Sequence, residues 1–201
     1  MKITQTWLEK IDACKDGIDW FKAQTETDGL KLVKKLIKEK KLDWANGLIV
    51  RIMIYEQYTT YAIYAAKLVL PIFKKHYPND KKLNETIEAT ERFSKNPTEE
   101  NKLLAKKATS TAASTVASTA ESAFDATESA IYATKSAIYA AAAAIYATES
   151  ANAANAAIDA AIAAANAASA NAADAESADA ESANKKILID ILNYGLGLLE
   201  K

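Results

Sequence analysis

The chain has 201 residues, half of them hydrophobic, with five Gly, three Pro, one Cys and a net charge of −1. Long runs free of Gly and Pro exclude collagen-like and linker-like sequences and argue against an all-β fold. A single Cys excludes an intrachain disulfide framework and suits a reducing compartment, and no stretch reaches the ~20 apolar residues of a membrane span.

The first residues carry Glu9, Lys10 and Asp12 where a signal peptide needs an apolar run, so a cytoplasmic protein is expected. Thr4 or Thr6 can cap a first helix bearing Trp7, Leu8 and Ile11. Asp16-Gly17 opens a second short segment over 18–24. Thr27-Asp28 caps a third, in which Leu30, Val33, Leu36 and Ile37 recur at helical spacing. The apolar stretch 42–78 reads as a buried helix broken near Glu56–Thr60, kinked or restarted at Pro71 and ended by Pro78. Asn79-Asp80 makes a turn, residues 82–93 a helix, and Asn96-Pro97-Thr98-Glu99-Glu100 a strong helix start.

From there the helical signal runs to the end, dominated by Ala, which loses no side-chain entropy in a helix. One helix of some 80 residues would span about 120 Å, so hairpins are expected, with bends at 114–122, Asn152–Asn155 or Ser169–Asn171. After Asn184 a closing helix sets Leu188, Ile191, Leu192 and Leu199 on one face, frayed by Gly195 and Gly197. The predicted architecture is all-α: a multi-helix bundle with closely packed, Ala-rich antiparallel helices. It divides into an N-terminal region (1–97), heptad helices (98–184) and the closing helix (185–201), in one continuous domain.

Residues 126–153 repeat one phrase: ATESAIY, ATKSAIY, AAAAAIY, ATESANA. Ala126, Ala130, Ala133, Ala137, Ala140, Ala144, Ala147 and Ala151 keep an unbroken 4-3 spacing, a coiled-coil seam made of Ala. Such a seam selects close helix approach, and its seven-residue period implies a left-handed supercoil. Ile131, Ile138 and Ile145 follow Phe124 along one flank and are expected to supply most of the hydrophobic burial. Tyr132, Tyr139 and Tyr146 fall among polar residues, including Glu128, Lys135, Ser136 and Glu149. Either the rings pack on a further helix with their hydroxyls in water, or they form an exposed ladder with rungs about 10.5 Å apart. On the second reading Tyr132, Tyr139, Tyr146, Glu128, Lys135 and Glu149 are the partner-binding residues. Tyr55, Tyr58, Tyr61 and Tyr64, three apart, drift around their helix, so at least one ring is expected at a surface or an internal interface.

Catalytic signatures are missing from the sequence. His76 is the only histidine, and no HExxH, CxxC, GxSxG or phosphate-cradling Gly loop occurs. No enzyme, metal or cofactor is expected. Asp174, Glu176, Asp179 and Glu181 read as solvated acids, and the basic phrase 31–41 as a solvated helix face, without direct nucleic-acid or membrane binding. Residues 108–184 hold nine acids and one base, while residues 1–107 carry +6. The two halves either attract each other or steer a charged partner.

Two phrases then carry a resemblance. WLEKIDACKDGIDWF contains Ala13, Cys14, Trp20 and Phe21, and YPNDKKLNETIEATERF contains Asp80, Ile87, Glu88 and Ala89. Followed by a long Ala-rich helical tract, they resemble the immunity protein family of bacteria and phages. Lys81-Lys82-Leu83 stands where that family has a more Arg/Pro-rich phrase. The resemblance implies a helical, non-enzymatic inhibitor that neutralises a toxin or other effector enzyme by steric occlusion. The alternative is a phage inhibitor of a host nuclease or signalling system. An acidic Ala-rich half would suit a basic groove on the target, and a second copy of the chain remains open as a partner. Two further classes are ice binding through Thr127, Thr134 and Thr148, and a small-molecule or lipid-binding bundle, for which the Ala seam leaves little room.

Overall fold

A computed structural model describes residues 1–122, 128–146, 150–174 and 180–200. Among these the chain forms ten helices and no strand: α1 (Gln5–Lys10), α2 (Lys15–Lys22), α3 (Gly29–Lys38), α4 (Leu42–Ile52), α5 (Tyr55–His76), α6 (Lys82–Lys95), α7 (Glu99–Ser122), α8 (Glu128–Ile145), α9 (Ser150–Asp174) and α10 (Ala180–Leu199). The all-α bundle is as the sequence predicts.

Local chemistry sets the early boundaries. Thr4 Oγ1 accepts from Trp7 N at 3.2 Å and Asp28 Oδ1 from Lys31 N at 3.0 Å, so both act as N-caps. Helices α1 and α3 end in left-handed residues, Asp12 (φ 53°) and Lys40 (φ 59°). Behind them Ala13 N donates to Leu8 O, and Lys41 N to Leu36 O, the crossed bonds of a Schellman stop. Thr98 caps α7 through the backbone of Asn101.

Helix α5 packs against α6, α8, α9 and α10 and reaches α4 through the Tyr61 hydroxyl. It runs through Pro71, which stands on its exposed side. The break expected at Glu56–Thr60 lies earlier, at Met53–Ile54. Gln57 explains the shift: its Oε1 accepts from Ile54 N at 3.0 Å and its Nε2 donates to Leu198 O at 2.8 Å. Four tyrosines then distribute around α5. Tyr58 and Tyr61 are buried, whereas Tyr55 and Tyr64 are half-buried. Tyr61 donates to Asn46 Oδ1 at 2.8 Å, Asn46 donates to Ile158 O at 3.2 Å, and Tyr64 stacks on Tyr194 with centroids 3.9 Å apart.

The Ala-rich helices form antiparallel hairpins. Ser136 on α8 donates to Ala160 O on α9 at 2.8 Å, and Asn184 on α10 to Asn166 on α9. Ala133, Ala137, Ala140 and Ala144 of the seam are buried, facing a helix where Ala153, Ala157, Ala160, Ala164 and Ala167 repeat the same spacing. One continuous core joins these alanines, except Ala144, to Leu32, Ile49, Tyr61 and Ile191, while Ala144 packs with Phe93 and Ala105.

Several expectations need correction. Asn152–Asn155 and Ser169–Asn171 lie inside α9, not at bends. Instead, α8 starts at Glu128-Ser129, α9 at Ser150, and α10 at Ala180-Glu181. In α8 and α10 an acid in the first turn, Glu128 and Glu181, meets the positive end of the helix dipole; α9 has none. Ser136 is wholly buried, not on the polar face, because its hydroxyl finds the Ala160 carbonyl. Ile131, Ile138 and Ile145 are only half-buried, and the alanines occupy the centre of the interface. Gly195 does not fray α10. An added Cβ there would lie 2.8 Å from Tyr61 and 2.9 Å from Ile49, so the missing side chain is what admits α10 to the core.

Candidate interaction surface

Successive residues of α8 turn by about 100°. Measured from Ile131, the buried Ala133, Thr134, Ser136, Ala137, Ala140, Ala141, Ala143 and Ala144 occupy one half of the helix. The exposed Glu128, Lys135, Tyr139 and Tyr146 share a narrow arc on the other half. A seven-residue repeat drifts by roughly 20° per heptad on a straight helix. The drift carries each tyrosine further from the buried edge. Tyr132 is half-buried against the core, Tyr139 is 36% exposed and Tyr146 49%. Lys135 Nζ lies 5.2 Å from the centroid of the Tyr132 ring. The structure thus gathers four of the six predicted partner-binding residues on one arc and sets Tyr132 at its edge. Glu149 lies outside the described residues.

Beside the arc runs a shallow groove. Tyr139, Ala142 and Tyr146 form one wall, and Asn152, Asn155, Ala156 and Asp159 of α9 form the other. The walls desolvate Asp159 and push its carboxyl pKa up. Asn155 Oδ1 accepts from Arg51 Nη2 at 3.1 Å, and Arg51 Nη1 donates to Gly47 O at 3.3 Å. Burial pulls the Arg51 pKa down, against the opposing charge of Asp12.

Arg51 also lines a second hollow, a half-open cavity of about 230 Å³ between α1, α2, α3 and α4. Ala13, Cys14, Trp20 and Phe21, the first of the two resembling phrases, lie on its wall. Of the second phrase, Ile87 is buried, while Glu88 and Ala89 line a groove between α6 and α7 with Lys82, Arg92 and Lys107. Asp80 holds the preceding turn by accepting from Lys82 N at 2.8 Å.

The sequence reading missed Arg51, Asn155 and Asp159. A signal for two of them exists: in α9 the exposed Asn152, Asn155, Asp159 and Ile162 recur at 3–4 spacing among alanines. Arg51 had none, because it reaches α9 only through the fold.

Comparison with protein-family models, curated proteins and solved structures finds no match to this chain. Among the described residues no helix is long and apolar enough to cross a membrane, and no three His, Cys, Asp or Glu side chains converge as metal ligands.

Proposed function

We propose that this chain is a non-enzymatic inhibitor of the immunity protein kind, which binds an effector protein and blocks it by occlusion. The observation that carries the reading is the exposure of Tyr139 and Tyr146 on a hairpin whose other face is locked by buried alanines. Tyrosine offers large amphipathic contact area at low entropic cost and is enriched at binding hot spots. Asn152, Asn155, Asp159 and Lys135 supply the polar rim such a contact needs. The net −8 over 108–184 favours a target with a basic groove, so a nuclease is the favoured effector. A phage-borne inhibitor of a host nuclease would use the same surface, and the identity of the captured protein separates the two settings.

Ice binding loses its support, because Thr134, the middle of the proposed row, is 3% exposed.

The test is affinity capture from a host lysate with wild-type bait and with Tyr139→Ser/Tyr146→Ser bait. A protein retained by the first, lost with the second and released by raised salt supports the reading. Capture that is identical with both baits, or indifferent to salt, counts against it.

A further inference from the structure

The cavity between α1 and α4 is not explained by the tyrosine face, and its lining is chemically selective. Its volume, about 230 Å³, exceeds the ~150 Å³ of an apolar cavity that takes up a benzene ring. Trp20, Phe21 and Trp44 supply aromatic wall, with the two indoles edge to face at 6.5 Å. Three charged groups complete it: Asp12, Asp43 and Arg51. Arg51 is already committed, donating to Gly47 O and to Asn155 on α9. Among the described residues neither Asp12 nor Asp43 has a cationic nitrogen within 4.0 Å. Two carboxylates against one guanidinium leave the lining one negative charge in excess. The Trp44 ring already carries a cation of this chain, Lys41 Nζ at 4.6 Å from its centroid, so Trp44 offers an incoming ligand apolar wall.

We infer that this cavity receives an aliphatic cation, an alkylammonium or alkylguanidinium group, with its stem against Trp20, Phe21 and Trp44 and its head at Asp12 and Asp43. An anion would meet two carboxylates and a guanidinium two of whose five donors are already in use. Asp12 and Asp43 are both exposed, and a neutral apolar ligand would gain no ion pair from them. A free amine and a Lys or Arg side chain of another protein share the required chemistry. The inference is independent of the tyrosine face, because its test reads the cavity directly.

Cys14 makes the cavity testable. It is the only cysteine, it is exposed, and it lines the same space. Its rate of modification by 2-(trimethylammonium)ethyl methanethiosulfonate is compared with that by the anionic 2-sulfonatoethyl reagent, each normalised to free cysteine. The cationic reagent is expected to be favoured by about tenfold at low salt. n-Pentylammonium should protect Cys14 saturably at concentrations where n-pentanol and pentanoate do not. Asp43→Asn should weaken that protection, and so should Asp12→Asn, since Asn tolerates the left-handed backbone at position 12. Protection by n-pentylammonium alone identifies a free-amine site. Protection also by acetyl-Gly-Lys-Gly-amide identifies a site for a protein's basic side chain. Equal protection by n-pentanol or pentanoate would overturn the inference, as would undiminished protection in both Asn variants.

Discussion

Gly195 and Gly197 look alike in sequence, two residues apart on α10, and the structure gives them opposite roles. At Gly195 a methyl group would collide with Tyr61 and Ile49, while at Gly197 it would meet nothing within 4 Å. Gly195→Ala is therefore expected to destabilise by about 1–3 kcal/mol through overpacking. Gly197→Ala should gain about 0.5–1 kcal/mol from helix propensity. Chemical denaturation of the two variants checks both signs. Asp159 offers a second test at this scale. Its folded-state carboxyl pKa is raised, so the folded chain takes up the proton more readily than the unfolded one. The stabilisation from protonation is complete below the unfolded pKa and is lost as pH rises through the folded value. Asp159→Asn should thus raise the melting temperature at pH 7, with a gain that shrinks toward pH 3.

At the scale of the element, the α8–α9 hairpin is an Ala interface with one hydroxyl clasp. Ala160 is fully buried, and its carbonyl accepts the Ser136 hydroxyl. Ala160→Leu should force the helices apart and cost about 1–3 kcal/mol or more. Ala173→Leu, on the exposed end of α9, should stay within about 0.5 kcal/mol. Thermal melts of the pair decide whether close approach holds the hairpin. Much of this element was legible beforehand. The spacing of Ala133, Ala137, Ala140 and Ala144 already marked the seam, and the caps at Thr4 and Asp28 followed from local chemistry. The bends in the Ala tract were not legible at Asn152 or Ser169, since an isolated Asn or Ser is tolerated on the solvent side of a long helix. The burial of Ser136 was hidden for a related reason: a small hydroxyl is polar in composition, yet it packs like Ala once a carbonyl accepts its proton.

For the whole molecule, what escaped the sequence is what requires distant segments to meet. Cys14 and Trp20 belong to α2 and its N-cap, Trp44 and Arg51 to α4, and no periodicity announces that they share a cavity. Asn46 sits mid-helix in α4 and reveals its role only when Tyr61 and Ile158 arrive from α5 and α9. The tyrosine stripe is intermediate. Its period was evident, but its graded exposure follows from the drift of the heptad on a helix whose opposite half is buried. This arrangement places an aromatic face with a polar rim on one side of the bundle, and the proposed inhibition rests on that face. The most direct measurement is photo-crosslinking from a benzoyl-phenylalanine placed at Tyr139, at Tyr146, and at Leu103, a 69% exposed control on α7. Adducts to one and the same protein from positions 139 and 146, with none from 103, are the expected result. Adducts from position 103 alone, or from none of the three, would contradict the account.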